Sequence, residues 1–522
     1  MIFFKNIICT LCFSFFFFLS KGQQVALSFS QTITPQDLKK HLSVLASDSL
    51  EGRETGSVGN LKAANYIAKH FQGLGLPPLV KNTFFQPVAF TAETWKQSNL
   101  SINGKEYVPN WDFYTLPAYN SNLDINTNQV LFAGYGIEDE KYSDYKKLKR
   151  KAKGKILLIY NGEPMNSDGV SLLTSSTTVS DWSTNMQKKL EVARRYGAKM
   201  LLIIDGNFLK NLDKNRLQIV DGSLKMGEGM KADTRFCNSI FISTSVAKDI
   251  LGEKFKAVVA AREQIEATGK SKSVKIPCNI KILQEKNIKQ LKGNNILGYI
   301  EGTDEKLKEE LVIITAHYDH LGKRGEEIFH GADDDASGTS AVMEIAEAFS
   351  AAQRMGIGPR RSVLCMLVTG EEKGLLGSEY YANFPIFPLE KTVADVNIDM
   401  VGRVDEKHAA KNDYVYVIGA DKLSDDLHLI NEQMNATYLN MELDYTYNNE
   451  SDPNRYYYRS DHYNFAKRGI PVVFYFNGTH EDYHRPSDTV DKINFEMLTR
   501  RAQLAFFTAW ELANRNERIK LK

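Results

Sequence analysis

The segment FHGADDDASGTS, Phe329 to Ser340, sets three consecutive aspartates between glycines, directly ahead of a helical pattern. Histidine and carboxylate recur in a few short segments of the same half of the chain. His317 and Asp319 stand in ITAHYDH, Glu371 and Glu372 in LVTGEE, Asp399 in VNID, and His484 in DYHRPSDT. Imidazole nitrogen and carboxylate oxygen without thiolate form a donor set that suits zinc, with manganese or cobalt as poorer fits. Six or so such donors are too many for one tetrahedral ion and suit two ions that share a bridging carboxylate and a water. Three ligand carboxylates and a hydroxide would neutralise two divalent cations. A further carboxylate must then stay off the metals to accept the proton of that water. Neighbours in extended chain point in opposite directions, so Glu371 and Glu372 can divide the two roles.

Taken singly, each segment has a plainer reading. An aspartate run beside glycine is usually a solvated turn, a glutamate pair at a strand end is usually surface charge, and a lone histidine is more often structural. What joins them is the elements that carry them. After about residue 290, strands and helices alternate: LVIITAH, a helix from Gly338 to about Gln353, SVLCMLVTG, VADVNID, YVYVIG, IPVVFYF, and a closing helix over about 495 to 515. Continuous apolar strands alternating with helices predict a largely parallel sheet covered on both faces. In such a sheet the functional crevice lies at the carboxyl ends of the strands. His317 and Asp319 end the first strand, the glutamate pair the second and Asp399 the third, and His484 follows IPVVFYF. The aspartate turn follows the first strand and leads into its helix.

Ahead of this core, residues 34 to 76 hold two amphipathic helical patterns joined by the turn-rich SDSLEGRETGSVGN. The second places Leu61, Ala64, Ile67, Ala68 and Phe71 on one face, and GLGLPP stops it. Residues 80 to 116 read as short strand pieces. Residues 118 to 284 carry the short β runs VLFAGYGI, GKILLIY, AKMLLIID and IFIS between long polar loops and do not cluster histidine with carboxylates, so they read as an insertion.

A chain of 522 residues, 43% apolar and 25% charged, is expected to form two domains with accessory segments. Its first residues, MIFFKNIICTLCFSFFFFLSKGQQ, put a lysine ahead of an apolar run and small residues, the anatomy of a signal peptide cleaved after Gly22. An uncleaved anchor is the alternative, although the run is short for a bilayer span. With no later segment apolar enough to cross a membrane, the mature protein is expected to be exported, to a periplasm or to the medium. Of 65 basic residues, Lys5 and Lys21 leave with the signal, so 63 face 64 acids. That near-neutral balance, without a dense basic stripe, gives no support for nucleic-acid or anionic-membrane binding. Cys237, Cys278 and Cys365 remain, too few for a disulfide framework, although Cys237 and Cys278 could pair. Cys365, inside SVLCMLV, reads as a small core residue.

The set AHYDHLG, GADDDASG, TGEEKGLLGS, VNIDMVGR, YRSDHYNF and DYHRPSDT resembles the co-catalytic zinc exopeptidases of metallopeptidase family twenty-eight, which includes bacterial leucyl aminopeptidases and glutamate carboxypeptidase. The stretch LASDSLEGRETGSVGNLKAANYIAKHF resembles the opening of that peptidase domain. The middle region resembles a protease-associated domain, through VLFAGYGI, YSDYKKLKRKAKGKILLIYNGEP and RRYGAKMLLIID. The resemblance implies an α/β fold, a three-layer α/β/α zinc-peptidase core (phosphorylase/hydrolase-like) on a mostly parallel mixed sheet, plus a β-rich insert. The expected boundaries are a signal over 1–22, peptidase domain over 23–117 and 285–522, and the insert over 118–284.

The same resemblance implies two Zn²⁺ per chain, one on His317 and Asp399 and the other on Glu372 and His484, with Asp334 bridging them and a cis peptide after the bridge. Glu371 falls on the general base and acid, and Asp319 on the carboxylate that orients the His317 imidazole. Tyr483 and Arg459 fall where relatives stabilise the oxyanion and line the substrate pocket. His320, His330, His462 and His480 receive no role. The expected activity is release of N-terminal residues from oligopeptides. A carboxypeptidase or dipeptidase using the same metals and a non-catalytic binding protein are the alternatives. Glutaminyl cyclases share the fold with a single zinc, which the presence of His317 argues against.

Overall fold

The computed structural model describes residues 22–227 and 235–522; apart from Gly22, the expected signal segment lies outside the described residues. The chain forms two compact units, Met1–Phe90 with Leu291–Lys522, and Thr91–Gln290. Both crossings fall inside strands, β1 (Phe85–Ile102) and β2 (Val274–Ile300). β1 is one 18-residue strand where the sequence reads as short pieces. Buried polar residues inside it, Thr91, Glu93 and Ser98, hide its continuity from an apolar pattern.

In the first unit the strands are β3 (Leu311–His317), β4 (Ser362–Val368), β5 (Thr392–Ile398), β6 (Tyr414–Ile418), β7 (Glu442–Asp444) and β8 (Val472–Phe476). Their order is β7-β6-β8-β5-β3-β4-β2. β3 pairs in parallel with β4 and β5, and β5 with β8, while β6 runs antiparallel to β8 and β2 to β4. Every residue of β3, β4, β5 and β8 is buried. Successive side chains serve opposite layers: Val312, Ile314 and Ala316 join one core cluster, Leu311 and Ile313 another. Two buried faces explain why these strands are apolar throughout.

The first cluster is closed by helices α1 (Pro35–Leu45), α2 (Val58–Gly73), α3 (Ala336–Arg354) and α5 (Phe495–Asn514); α4 (Leu376–Asn383) sends Tyr381 into the other. Thr34 caps α1 and Ser57 caps α2, each accepting a backbone N–H from the first turn. The buried face of α2 is Gly59, Asn60, Ala63, Ala64, Ile67, Ala68 and Phe71, and Leu61 is half exposed, so the expected face is shifted. Between α1, α2 and α3 lies a buried polar cluster. His41 Nε2 is 3.1 Å from Glu344 Oε1, His41 Nδ1 is 2.8 Å from Tyr66 Oη, and the His70 ring is 4.6 Å from that of His41.

The second unit contains the whole of 118–284 and also residues 91–117 and 285–290. Strands Ile156–Tyr160, Met200–Ile204 and Asn238–Ile242 pair in parallel, flanked by Leu123–Phe132. Cys237, Cys278 and Cys365 are free and buried. Among the described residues no helix is long and apolar enough to cross a membrane.

Candidate active site

Because β3, β4, β5 and β8 are parallel, their carboxyl ends share one edge. Register places His317 beside Val368, three residues before Glu371, and sets Thr315 beside Asn397, two before Asp399. His317 is fully buried. Its Nδ1 lies 3.1 Å from the Asp319 carbonyl, which fixes the proton there, and its Nε2 has no hydrogen-bond partner. That bare nitrogen faces Asp334 Oδ1 at 3.3 Å, Asp399 Oδ1 at 3.5 Å and Glu371 Oε2 at 3.9 Å.

The three aspartates of the turn divide cleanly. Asp333 accepts Gly402 N–H at 2.6 Å and the Asn477 amide at 3.0 Å, and its Oδ2 lies 3.2 Å from His480 Nε2. Asp335 caps α3: its carboxylate accepts the N–H groups of Gly338 (2.9 Å), Met400 (3.0 Å) and His317 (3.3 Å). Asp334 turns one oxygen to each imidazole, Oδ1 to His317 Nε2 and Oδ2 to His484 Nε2 at 3.1 Å. The peptide joining Asp334 to Asp335 is cis.

Glu372 Oε2 lies 3.4 Å from His484 Nε2. Burial works to lower the pKa of His484, but Glu372 and Asp334 outweigh it and push it up to about 10. Asp399 is steadied from behind, its Oδ2 accepting the Ser460 hydroxyl at 2.7 Å, while Ser460 accepts the Asn397 amide at 2.9 Å. Glu371 carries its backbone N–H to Asp319 Oδ1 at 3.2 Å. Burial, then repulsion from Glu372 and Asp399 against the pull of His317, holds the Glu371 carboxyl well above the usual range.

Asp319 departs from its expected part. It meets His317 through its carbonyl, and its carboxylate stands 4.0 Å from Nδ1, occupied by the Thr55 hydroxyl at 2.7 Å and by Glu371 N–H. Tyr483 stacks on His484 with ring centroids 3.8 Å apart, and its hydroxyl is 3.3 Å from Arg459 Nη2. Both line a pocket with His317, Asp334, Glu371, Asp399 and His484, walled by Met400, Tyr456, Phe474 and Phe476.

Sequence reasoning left His320 without a role. Fully buried, it has no hydrogen-bonding partner on either ring nitrogen, and Nδ1 is 2.7 Å from Glu372 Oε1. Its position directly after Asp319 in HYDH was the available signal. By donor spacing alone, His317, Asp335 and Asp399 form one group that could hold an ion, and His320, Asp334 and Glu372 another. The three N–H bonds into Asp335 favour Asp334 over it as the shared oxygen donor, since a carboxylate already engaged by backbone has little left to give. Buried, unpartnered imidazoles opposed by carboxylates fit a pair of divalent cations with nitrogen and oxygen ligands.

Comparison with known proteins finds similar aminopeptidases. A probable leucine aminopeptidase of Arthroderma otae is 29% identical over 215 residues, covering 40% of this chain and 56% of that protein. Aminopeptidase YwaD of Bacillus subtilis is 25% identical over 233 residues, 43% of this chain and 46% of the other. The chain thus spans about half the length of these relatives. The fold matches that of an aminopeptidase from Aneurinibacillus sp. strain AM-1, with TM-score 0.60 at 20% identity over 94% of this chain and 97% of that one. A zinc aminopeptidase from Bacillus subtilis gives 0.52 at 19%, over 93% and 97%. Residues 295–509, which carry every candidate ligand, match the profile of Peptidase family M28.

Proposed function

We propose that the protein is an exported zinc-dependent exopeptidase that releases N-terminal residues from oligopeptides. The observation that carries the reading is the pairing of Asp334, one oxygen toward His317 and the other toward His484, with Asp399 and Glu372 beside the respective imidazoles. His317, Asp334 and Asp399 would hold one zinc, and Asp334, Glu372 and His484 the other. Two zinc ions so held supply an acidified water and a Lewis acid for the scissile carbonyl.

The remaining work falls to side chains. Glu371 lies at the pocket with a carboxyl free of side-chain hydrogen bonds, and it accepts the proton of the attacking water and returns it to the leaving amine. The Tyr483 hydroxyl, steadied by Arg459, can donate to the developing oxyanion. Met400, Tyr456, Phe474 and Phe476 offer an apolar surface to the substrate side chain. Export rests on residues 1–22, and reading 118–284 as a protease-associated domain rests on the motifs quoted above.

One observation favours the alternative of a carboxypeptidase: Arg459 places a guanidinium at the pocket. It is already engaged, 4.9 Å over the Tyr456 ring and hydrogen-bonded to Tyr483. Hydrolysis of one peptide series in free, N-acetylated and C-amidated forms decides. Loss on acetylation with little change on amidation is expected; fast cleavage of acetylated peptides with loss on amidation would reject the aminopeptidase reading.

A further inference from the structure

The segment GRETG, ahead of α2, is packed against the back of the candidate site. Arg53 is fully buried, and its guanidinium contacts backbone carbonyls alone: Nε donates to Tyr318 (2.8 Å), Nη1 to Leu45 (2.6 Å) and His330 (2.7 Å), and Nη2 to Gly331 (2.9 Å). Tyr318 lies between His317 and Asp319, and Gly331 opens the turn that carries Asp334. One planar group with fixed donor directions therefore sets the distance between the two loops that bring His317 and Asp334 together.

The neighbours of Arg53 act on the same loops. His320 N–H donates to the Arg53 carbonyl at 3.3 Å, and Thr55 Oγ1 donates to Asp319 Oδ2 at 2.7 Å. Glu51, Gly52 and Arg53 hold three successive left-handed conformations, φ 48°, 66° and 53°. Side chains rarely accept this, and surrounding contacts must enforce it. A Cβ on Gly52 would stand 2.3 Å from the Phe329 carbonyl, so glycine there is what lets the segment approach. Burial lowers the Arg53 pKa to about 10, with Asp319, Asp334, Asp335 and Asp488 opposing the fall, so the group stays charged at neutral pH.

We propose that Arg53 is a positioning residue for the metal centre, setting the spacing of the His317–His320 loop and the Gly331–Asp335 turn and so the fit of both candidate metal positions. The proposal rests on the reading that those loops carry the metals. Its test compares wild type, Arg53→Lys, Arg53→Gly and Thr55→Val with Arg361→Lys. Arg361 is likewise buried, donating to Glu310 and to the Leu512 and Arg515 carbonyls, but it precedes β4 at the opposite end of that strand. Zn²⁺ affinity is read by competition with a chromophoric chelator, alongside kcat, KM and the thermal midpoint of metal-free protein.

The positive φ of Arg53 makes glycine tolerable to the backbone, which permits rescue with added guanidinium. The expected result is a loss of about 10–100-fold in Zn²⁺ affinity for both Arg53 variants, as is usual when the support behind a ligand is removed. It should fall on kcat more than KM, recover in part when guanidinium is added to Arg53→Gly, and be smaller for Thr55→Val. Arg361→Lys should lower the thermal midpoint and leave affinity unchanged. Wild-type Zn²⁺ affinity in the Arg53 variants, or equal losses in Arg53→Lys and Arg361→Lys, overturns the proposal. Should Arg53→Gly fail to fold, Arg53→Lys and Thr55→Val still decide. Failure of the functional reading is distinct: wild type itself would then bind no Zn²⁺, and the positioning role would fall with it.

Discussion

Replacing either of two adjacent aspartates by asparagine separates their roles. Asp335 gives its oxygens to three buried N–H groups, two on Oδ1 and that of His317 on Oδ2. An asparagine in the same rotamer can keep its carbonyl on Gly338 and Met400, but its NH₂ then faces the His317 N–H, donor against donor. Stranding that one buried donor costs about 1–3 kcal/mol. At roughly 2 °C per kcal/mol for a large unit, Asp335→Asn should lower the thermal midpoint by about 2–6 °C. Metal content, measured by elemental analysis after dialysis, should remain near two per chain. Asp334→Asn should instead empty the site: the imidazoles it faces hold its carboxylate well below the usual range, so losing that charge should lower the metal-free midpoint as well, while metal content falls well below two. If Asp335→Asn empties the protein and Asp334→Asn does not, the assignment of the bridging oxygen donor is wrong.

Glu371→Gln should retain both metals and lose about 10² to 10⁴ in turnover; near-normal turnover in metal-replete protein would remove Glu371 as the base. His320→Gln should weaken Zn²⁺ binding by about 10–100-fold through loss of the buried imidazole that stands beside Glu372 and Asp334, seen in chelator competition. Chelation should abolish peptide hydrolysis and added Zn²⁺ restore it; activity persisting in metal-free protein would exclude the two-metal chemistry. Far from the candidate site, burial with help from Glu347 and Asp37 pushes Glu344 up to about 8, so its contribution to stability is full below 4.5 and lost as pH rises through about 8. Burial lowers His41 and His70 to about 4, so theirs is full above 6.5 and lost as pH falls. The cluster's contribution therefore peaks near pH 6.5, then declines by up to about 1.4 kcal/mol per pH unit toward 8. Glu344→Gln should flatten that decline in denaturant melts, and an unchanged slope would show that Glu344 does not titrate there.

The parallel core was legible because burial on both faces forces apolar runs, and because parallel strands bring their carboxyl ends to one edge. LVIITAH, SVLCMLV and VVFYF needed no more than that. The α2 face was misread for a matching reason. A Cβ on Gly59 would stand 1.9 Å from the Leu50 carbonyl, so α2 docks through small residues at close range, which an apolar periodicity cannot register. The candidate ligands are marked by residue type, whereas the groups that hold them are not. His317 is fixed by a carbonyl, and Arg53 spends its donors on four more. Main-chain acceptors carry no residue identity, so nothing in the letters marks them.

The first compact unit is discontinuous, and this has a consequence for its birth on the ribosome. Arg53, His41 and the α1 and α2 segments are synthesised before residue 91, but Glu344, Gly331 and the strands they pack against follow residue 290. At about 5–20 residues per second, the intervening segment Thr91–Gln290 delays that meeting by roughly 10–40 s. During this interval the nascent amino-terminal helices expose the apolar faces of Leu38, Leu42, Ile67 and Phe71, while the later-made 91–290 unit has its own complete core and can fold first. The emerging chain is therefore a client for transient shielding at its amino end, and slowing translation past residue 290 should lengthen the time for which that shielding is needed.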